Sequence, residues 1–92
     1  MEDKYLPIGT IVFIKDDIVM HMIVGYLSKD KEGNLYDYIS IPFPFGLIAV
    51  NTIFYFNHND IEKIIFNGYK NIQHYKTDKT LKKLKNIVEG DE

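Results

Sequence analysis

Apolar and polar positions alternate with a period of two through most of this chain, and a helical period appears only near its end. The clearest pattern lies at 53–69. Two apolar runs, 53–56 and 61–66, flank the polar knot Asn57-His58-Asn59-Asp60, and the second run closes at Asn67-Gly68. Asn and Asp side chains bond back to their own backbone and tolerate left-handed dihedrals, so the knot is a turn. The pattern predicts strand, tight or 3₁₀ turn, strand, read as a hairpin. Ile64 and Phe66 alternate onto one face of the last strand and are expected in the core.

Upstream the same reading predicts three more strands. Residues 10–14 are β-branched or apolar at nearly every position, as in a strand covered on both faces or lining a barrel. Lys15-Asp16-Asp17 is a polar turn. Residues 18–27 form the longest strand, with Met20, Met22, Val24 and Tyr26 on one face and Val19, His21, Ile23 and Gly25 on the other; Gly25 marks a bulge or sharp bend. A charged loop at 28–34 leads to a strand at 35–41, where Leu35, Asp37, Ile39 and Ile41 oppose Tyr36, Tyr38 and Ser40. Pro42-Phe43-Pro44-Phe45-Gly46 then reads as an extended loop, because each proline removes a ladder donor. Residues 47–52 lead into the hairpin and 70–76 are polar and irregular. A helix at 77–89 follows, capped by Thr77 or Asp78, stopped at Gly90, with Leu81, Leu84 and Val88 on one face.

The expected fold is mainly β: a small SH3-like barrel, or a strongly bent antiparallel sheet of about five strands, with a C-terminal α-helix. All 92 residues form a single domain, with the β part at 5–69. Composition narrows the possibilities. The chain is 46% hydrophobic and 14% aromatic, which favours a globular fold, and it has no Cys, so no disulfide framework or thiolate chemistry. The first residues are acidic without an apolar core, unlike a signal peptide, and no apolar run reaches the ~18 residues of a membrane span. These features place the protein in the cytoplasm, with export alongside a partner open to it, and without membrane insertion. Nothing in the pattern speaks to oligomeric state.

The one constellation with catalytic or metal-binding potential is His58 with Asp60, aided by His21 or Asp37. Its spacing matches no ligand motif, and the residue types favour a structural reading in which Asp60 caps the turn and His58 bonds locally. His21 reads as a satisfied core histidine and His74 as an exposed one. No phosphate loop, nucleophile elbow or cofactor motif is present, so no enzymatic activity, cofactor or metal is expected. Tyr36, Tyr38 and Tyr55 could stack bases, but a net charge of −2 and the lack of any Arg argue against nucleic acid. Phe43 and Phe45 on a proline-stiffened loop, with Tyr36 and Tyr38 beside them, suit a protein-binding patch better; the alternative is that both Phe rings fold under the loop. Asp37 points away from that patch and is expected to matter little for binding.

Four stretches taken together resemble a family of small bacterial proteins, domain of unknown function 4176. They are Tyr5-Leu-Pro-Ile-Gly-Thr-Ile-Val; Met20-His-Met-Ile-Val-Gly-Tyr; Tyr36-Asp-Tyr with Pro42-Phe-Pro-Phe-Gly; and Phe56-Asn-His-Asn-Asp-Ile, ending in Phe66-Asn-Gly-Tyr69. The resemblance covers about 5–69, and marks Asn57, His58, Asp60, Gly68 and Tyr69 as a structural signature. The chain departs from the family pattern at Phe45, where a polar or acidic residue is expected, and the helical tail lies outside it. The family resembled occurs in Gram-positive bacteria beside LXG toxin and type VII secretion genes, with no established catalytic activity. The resemblance therefore implies an accessory role: an adaptor or chaperone that binds the toxin's targeting domain or a small helical secretion partner. An immunity protein against the toxin and a nucleic-acid-binding barrel are the alternatives.

Overall fold

A four-residue link fixes the shape of the sheet. The computed structural model describes residues 5–90, so the expectation for the first residues lies outside the described part. Five strands, β1 (Ile11–Ile14), β2 (Met20–Lys29), β3 (Leu35–Phe43), β4 (Phe54–Phe56) and β5 (Ile61–Phe66), form one antiparallel sheet in the order β4-β3-β2-β1-β5. β4 and β5 are consecutive in the chain yet lie at opposite edges. In a flat sheet those edges would be about 19 Å apart, at four strand spacings of about 4.8 Å. Asn57 and the 3₁₀ turn His58–Asp60 join them, and a 3₁₀ turn rises only about 2 Å per residue. The sheet must therefore curl until its edges approach. It does not close: β4 pairs only with β3 and β5 only with β1. The bent open sheet, rather than the SH3-like barrel, is the architecture, and the expected β4–β5 hairpin is instead a link between edges.

The core lies inside the curl. Tyr5, Val12, Ile23, Tyr38, Phe56 and Leu81 form it, with Leu6, Ile14, Tyr26, Leu27 and Ile61 packed against them. Gly25 does mark a bulge: the β2–β3 register shifts between Ile23 and Gly25. One extra residue reverses the alternation. Tyr26 thus turns inward with Ile23, not outward with Met20 and Met22, and pairs across the sheet with Tyr38. Prolines do not exclude Pro42 from β3, because β4 covers only Tyr38–Ser40 and Pro42 pairs with His21 on the β2 side alone.

The helix α1 (Ile72–Gly90) starts earlier than the apolar spacing suggests. Asn71, not Thr77 or Asp78, caps it: the Asn71 side-chain oxygen accepts the His74 amide at 3.1 Å. Gly90 is its last residue rather than a stop beyond it. Ile64 and Phe66 are 42% and 59% exposed and are not core residues. They lie on the outermost strand, and two register shifts against β1 re-aim their side chains.

Gly68 is a fixed point. Its N–H donates to Thr10 Oγ1 at 3.0 Å, and a Cβ there would collide with the Ile8 carbonyl oxygen. Backbone cannot yield as a side-chain tip does. Gly68→Ala is expected to destabilise the fold by about 3 kcal/mol or more, lowering the melting midpoint by more than about 10 °C. Phe66→Ala should cost less than about 1 kcal/mol. Thermal melts of both variants, followed by circular dichroism, check the contrast.

Candidate functional site

The polar knot folds as its composition requires, and its carboxylate serves the turn. Asp60 Oδ2 accepts the Asn57 amide at 2.9 Å, the carboxylate half of a capping box. Asn57 Oδ1 accepts the Asp37 amide at 2.9 Å, tying the turn to β3. Asp60 is thus engaged within the turn. His58 meets Asp37. The His58 amide donates to Asp37 Oδ2 at 3.0 Å, and His58 Nε2 lies 3.6 Å from the same oxygen.

Asp37 is therefore the centre of this cluster, a structural position that its expected orientation away from the contact patch does not reveal. It is 3% exposed. Lys85 Nζ, arriving from α1, donates to Oδ1 at 2.5 Å, and the Tyr5 hydroxyl lies 3.5 Å from that oxygen. Rings of Tyr5, Tyr38 and His58 pack against one another with centroids 4.9–5.7 Å apart and screen the carboxylate from water. The Tyr38 hydroxyl accepts the Leu6 amide at 2.9 Å and is placed to donate its own proton to His58 Nδ1, 3.1 Å away. That tautomer turns Nε2–H toward Asp37. His74 is half-buried, not fully exposed, and its Nε2 contacts the Tyr5 carbonyl at 3.0 Å.

Burial alone would raise the Asp37 pKa; the Lys85 hydrogen bond and the His58 amide outweigh it and hold the carboxyl below its usual value. Burial also pushes Tyr38 up, and burial with the nearby Asp78 charge pushes Tyr26 up to about 12. Both phenols keep their protons at neutral pH and act as donors; Tyr26 donates to the Leu6 carbonyl at 2.6 Å.

A second cluster has the composition of a nucleophile triad. His21 Nδ1 lies 3.0 Å from Ser40 Oγ and Nε2 2.9 Å from Asp17 Oδ2. The Val19 amide, followed by His21, lowers the Asp17 pKa. Ser40 and His21 are both fully buried, so no substrate carbonyl can reach Oγ. The cluster satisfies a core histidine, as the sequence suggests for His21. Among the described residues no group of three or more His, Cys, Asp or Glu is arranged to hold a metal ion.

The four residues expected to form a contact patch do not gather. Tyr38 is fully buried in the core, Tyr36 is half-buried beside Tyr55, Phe43 is half-buried at the end of β3, and Phe45 stands clear. The exposed apolar surface instead follows Phe45 along the chain: Phe45 is 69% exposed, Leu47 60%, Ile48 67% and Val50 83%. By sequence 47–52 reads as a lead-in to the hairpin, and a short apolar run without alternation suggests burial; the structure leaves its large apolar side chains exposed instead. Tyr69 is 81% exposed, so it does not share the structural role that Gly68 has.

The family model of a domain of unknown function, DUF4176, matches residues 5–76. The chain belongs to this family. None of the curated proteins and none of the solved structures compared with it matches. Within the DUF4176 match lie Tyr5, Asp37, Tyr38, His58 and the exposed apolar run. Lys85 lies outside it.

The depressed Asp37 pKa fixes a sign. Its ionised form is favoured in the folded state, so its contribution is present above the unfolded pKa of about 3.9 and is lost as pH falls through the lower folded value. The wild-type melting midpoint should drop as pH is taken from 5 to 3. Asp37→Asn should lose about 2–3 kcal/mol at pH 7 and show a flatter acid limb. Melts of both proteins from pH 3 to 7 check this.

Proposed function

We propose that this DUF4176 chain is a non-enzymatic protein-binding accessory module of a type VII secretion and LXG toxin locus in a Gram-positive bacterium. It works in the cytoplasm as an adaptor or chaperone for the toxin's targeting region. The observation that supports this reading is the exposed apolar run from Phe45 to Val50. Small monomeric proteins seldom expose contiguous apolar surface without a use for it. A cleft of about 530 Å³ adjoins the run, lined by Val50, Ile53 and Tyr55 together with Asp30, Lys31 and Glu32. A lining that mixes apolar and charged side chains suits a partner helix with an apolar stripe. Among the described residues no helix is long and apolar enough to cross a membrane, which agrees with a role that needs no insertion.

Phe45→Ala should weaken binding of the toxin's N-terminal targeting domain by about 2 kcal/mol, some thirtyfold, while the melting midpoint stays within a few degrees. Calorimetric titration and a melt on the same variant give both quantities. Binding of the effector domain alone would favour an immunity role, and unchanged affinity in Phe45→Ala would remove the patch.

A further inference from the structure

The docked face of α1 is mostly polar. His74, Asp78, Leu81, Lys85 and Val88 share that face by their spacing and are less exposed than most of the helix around them. Of these five, Leu81 alone joins the core. The remaining attachments are polar: Asp78 Oδ1 accepts the Tyr5 amide at 2.7 Å, His74 contacts the Tyr5 carbonyl, and Lys85 reaches Asp37. Leu84 and Ile87 already face water. Helices in proteins are held chiefly by an apolar face, whereas polar contacts exchange for water at little net cost. Undocking α1 would take one apolar side chain of this face, Leu81, out of the core. It would strip Asp37 of its lysine and leave the carboxylate with the His58 amide and the Tyr5 hydroxyl, its cation position open to another ammonium.

The geometry also selects the cation. Asp37 Oδ2 is committed to the His58 amide, and Lys85 binds at Oδ1. A guanidinium fork prefers both oxygens, whereas an ammonium is a point charge that one oxygen accommodates. The carboxylate and its aromatic surround lie within the family match at 5–76, and Lys85 does not. We propose that Asp37 is a recognition site for a lysine ammonium on a helical partner, and that Lys85 of α1 fills it as a displaceable internal competitor. The inference rests on the protein-binding reading only in that the natural competitor is a polypeptide. Its test uses the chain's own helix as probe and is independent of the Phe45 surface.

Two measurements on the full chain test it. In native-state hydrogen exchange of the wild type, amides at 81–88 should exchange at least tenfold faster than the slowest amides of β2 and β3, through an opening confined to the helix. Equal rates would overturn the proposal by making α1 part of the global unit. A labelled synthetic peptide of residues 71–90 should bind the Lys85→Gln chain at least tenfold more tightly than the wild type, and the same peptide carrying Lys85→Gln should bind that chain at least tenfold more weakly. Equal binding of the two chains, or of the two peptides, would overturn it. Should Lys85→Gln fail to fold, the wild-type exchange rates still decide.

Discussion

The carboxylate of Asp37 joins four parts of the molecule that are distant in sequence. β3 supplies it, the turn after β4 gives it a backbone amide, α1 gives it a lysine, and the chain start brings Tyr5 against it. A buried charge is tolerated only when its remaining valences are met. Here they are met from three directions, so the one residue ties together the turn, the helix and the segment at Tyr5. Among the described residues no buried side-chain nitrogen or oxygen lacks a hydrogen-bond partner, so the polar interior is complete.

Curling of the sheet makes this convergence possible. The short link from β4 to β5 draws the edges toward each other, and Lys15 N–H donates to the Asp60 carbonyl at 2.9 Å, extending the β1–β5 pairing onto the turn. The turn that forces the curl is also the turn that carries His58. Curling of the sheet and the cluster thus share Tyr38: its ring stacks on Phe56 in the core, and its hydroxyl joins the Leu6 amide to His58. The apolar run that follows Phe45 takes no part in this cluster and stays on the surface.

Much of this was legible in residue order. Strand alternation, the Asn-His-Asn-Asp turn, the bulge at Gly25 and the structural role of Asp60 all follow from local rules. What was not legible depends on long-range geometry. Alternation sets Asp37 on the face opposite Tyr38, but the residues that surround it, Tyr5, His58 and Lys85, lie 32, 21 and 48 positions away in sequence. Tyr36 and Tyr38 share a face by alternation, yet only Tyr38 is fully buried. The bulge at Gly25 shifts the phase of the residues beyond it, which turns Tyr26 inward. Asp78, a credible cap by composition, lies inside the helix and accepts the Tyr5 amide, while Asn71 caps it.

A double-mutant cycle between Asp37→Asn and Lys85→Met, with stability from urea unfolding at pH 7, tests most directly whether Asp37 organises the fold through its cation. A coupling energy above about 1 kcal/mol, with the double variant recovering part of the loss of Asp37→Asn, is the expected result. Additive losses within about 0.3 kcal/mol would contradict the account, since the helix and the carboxylate would then contribute independently.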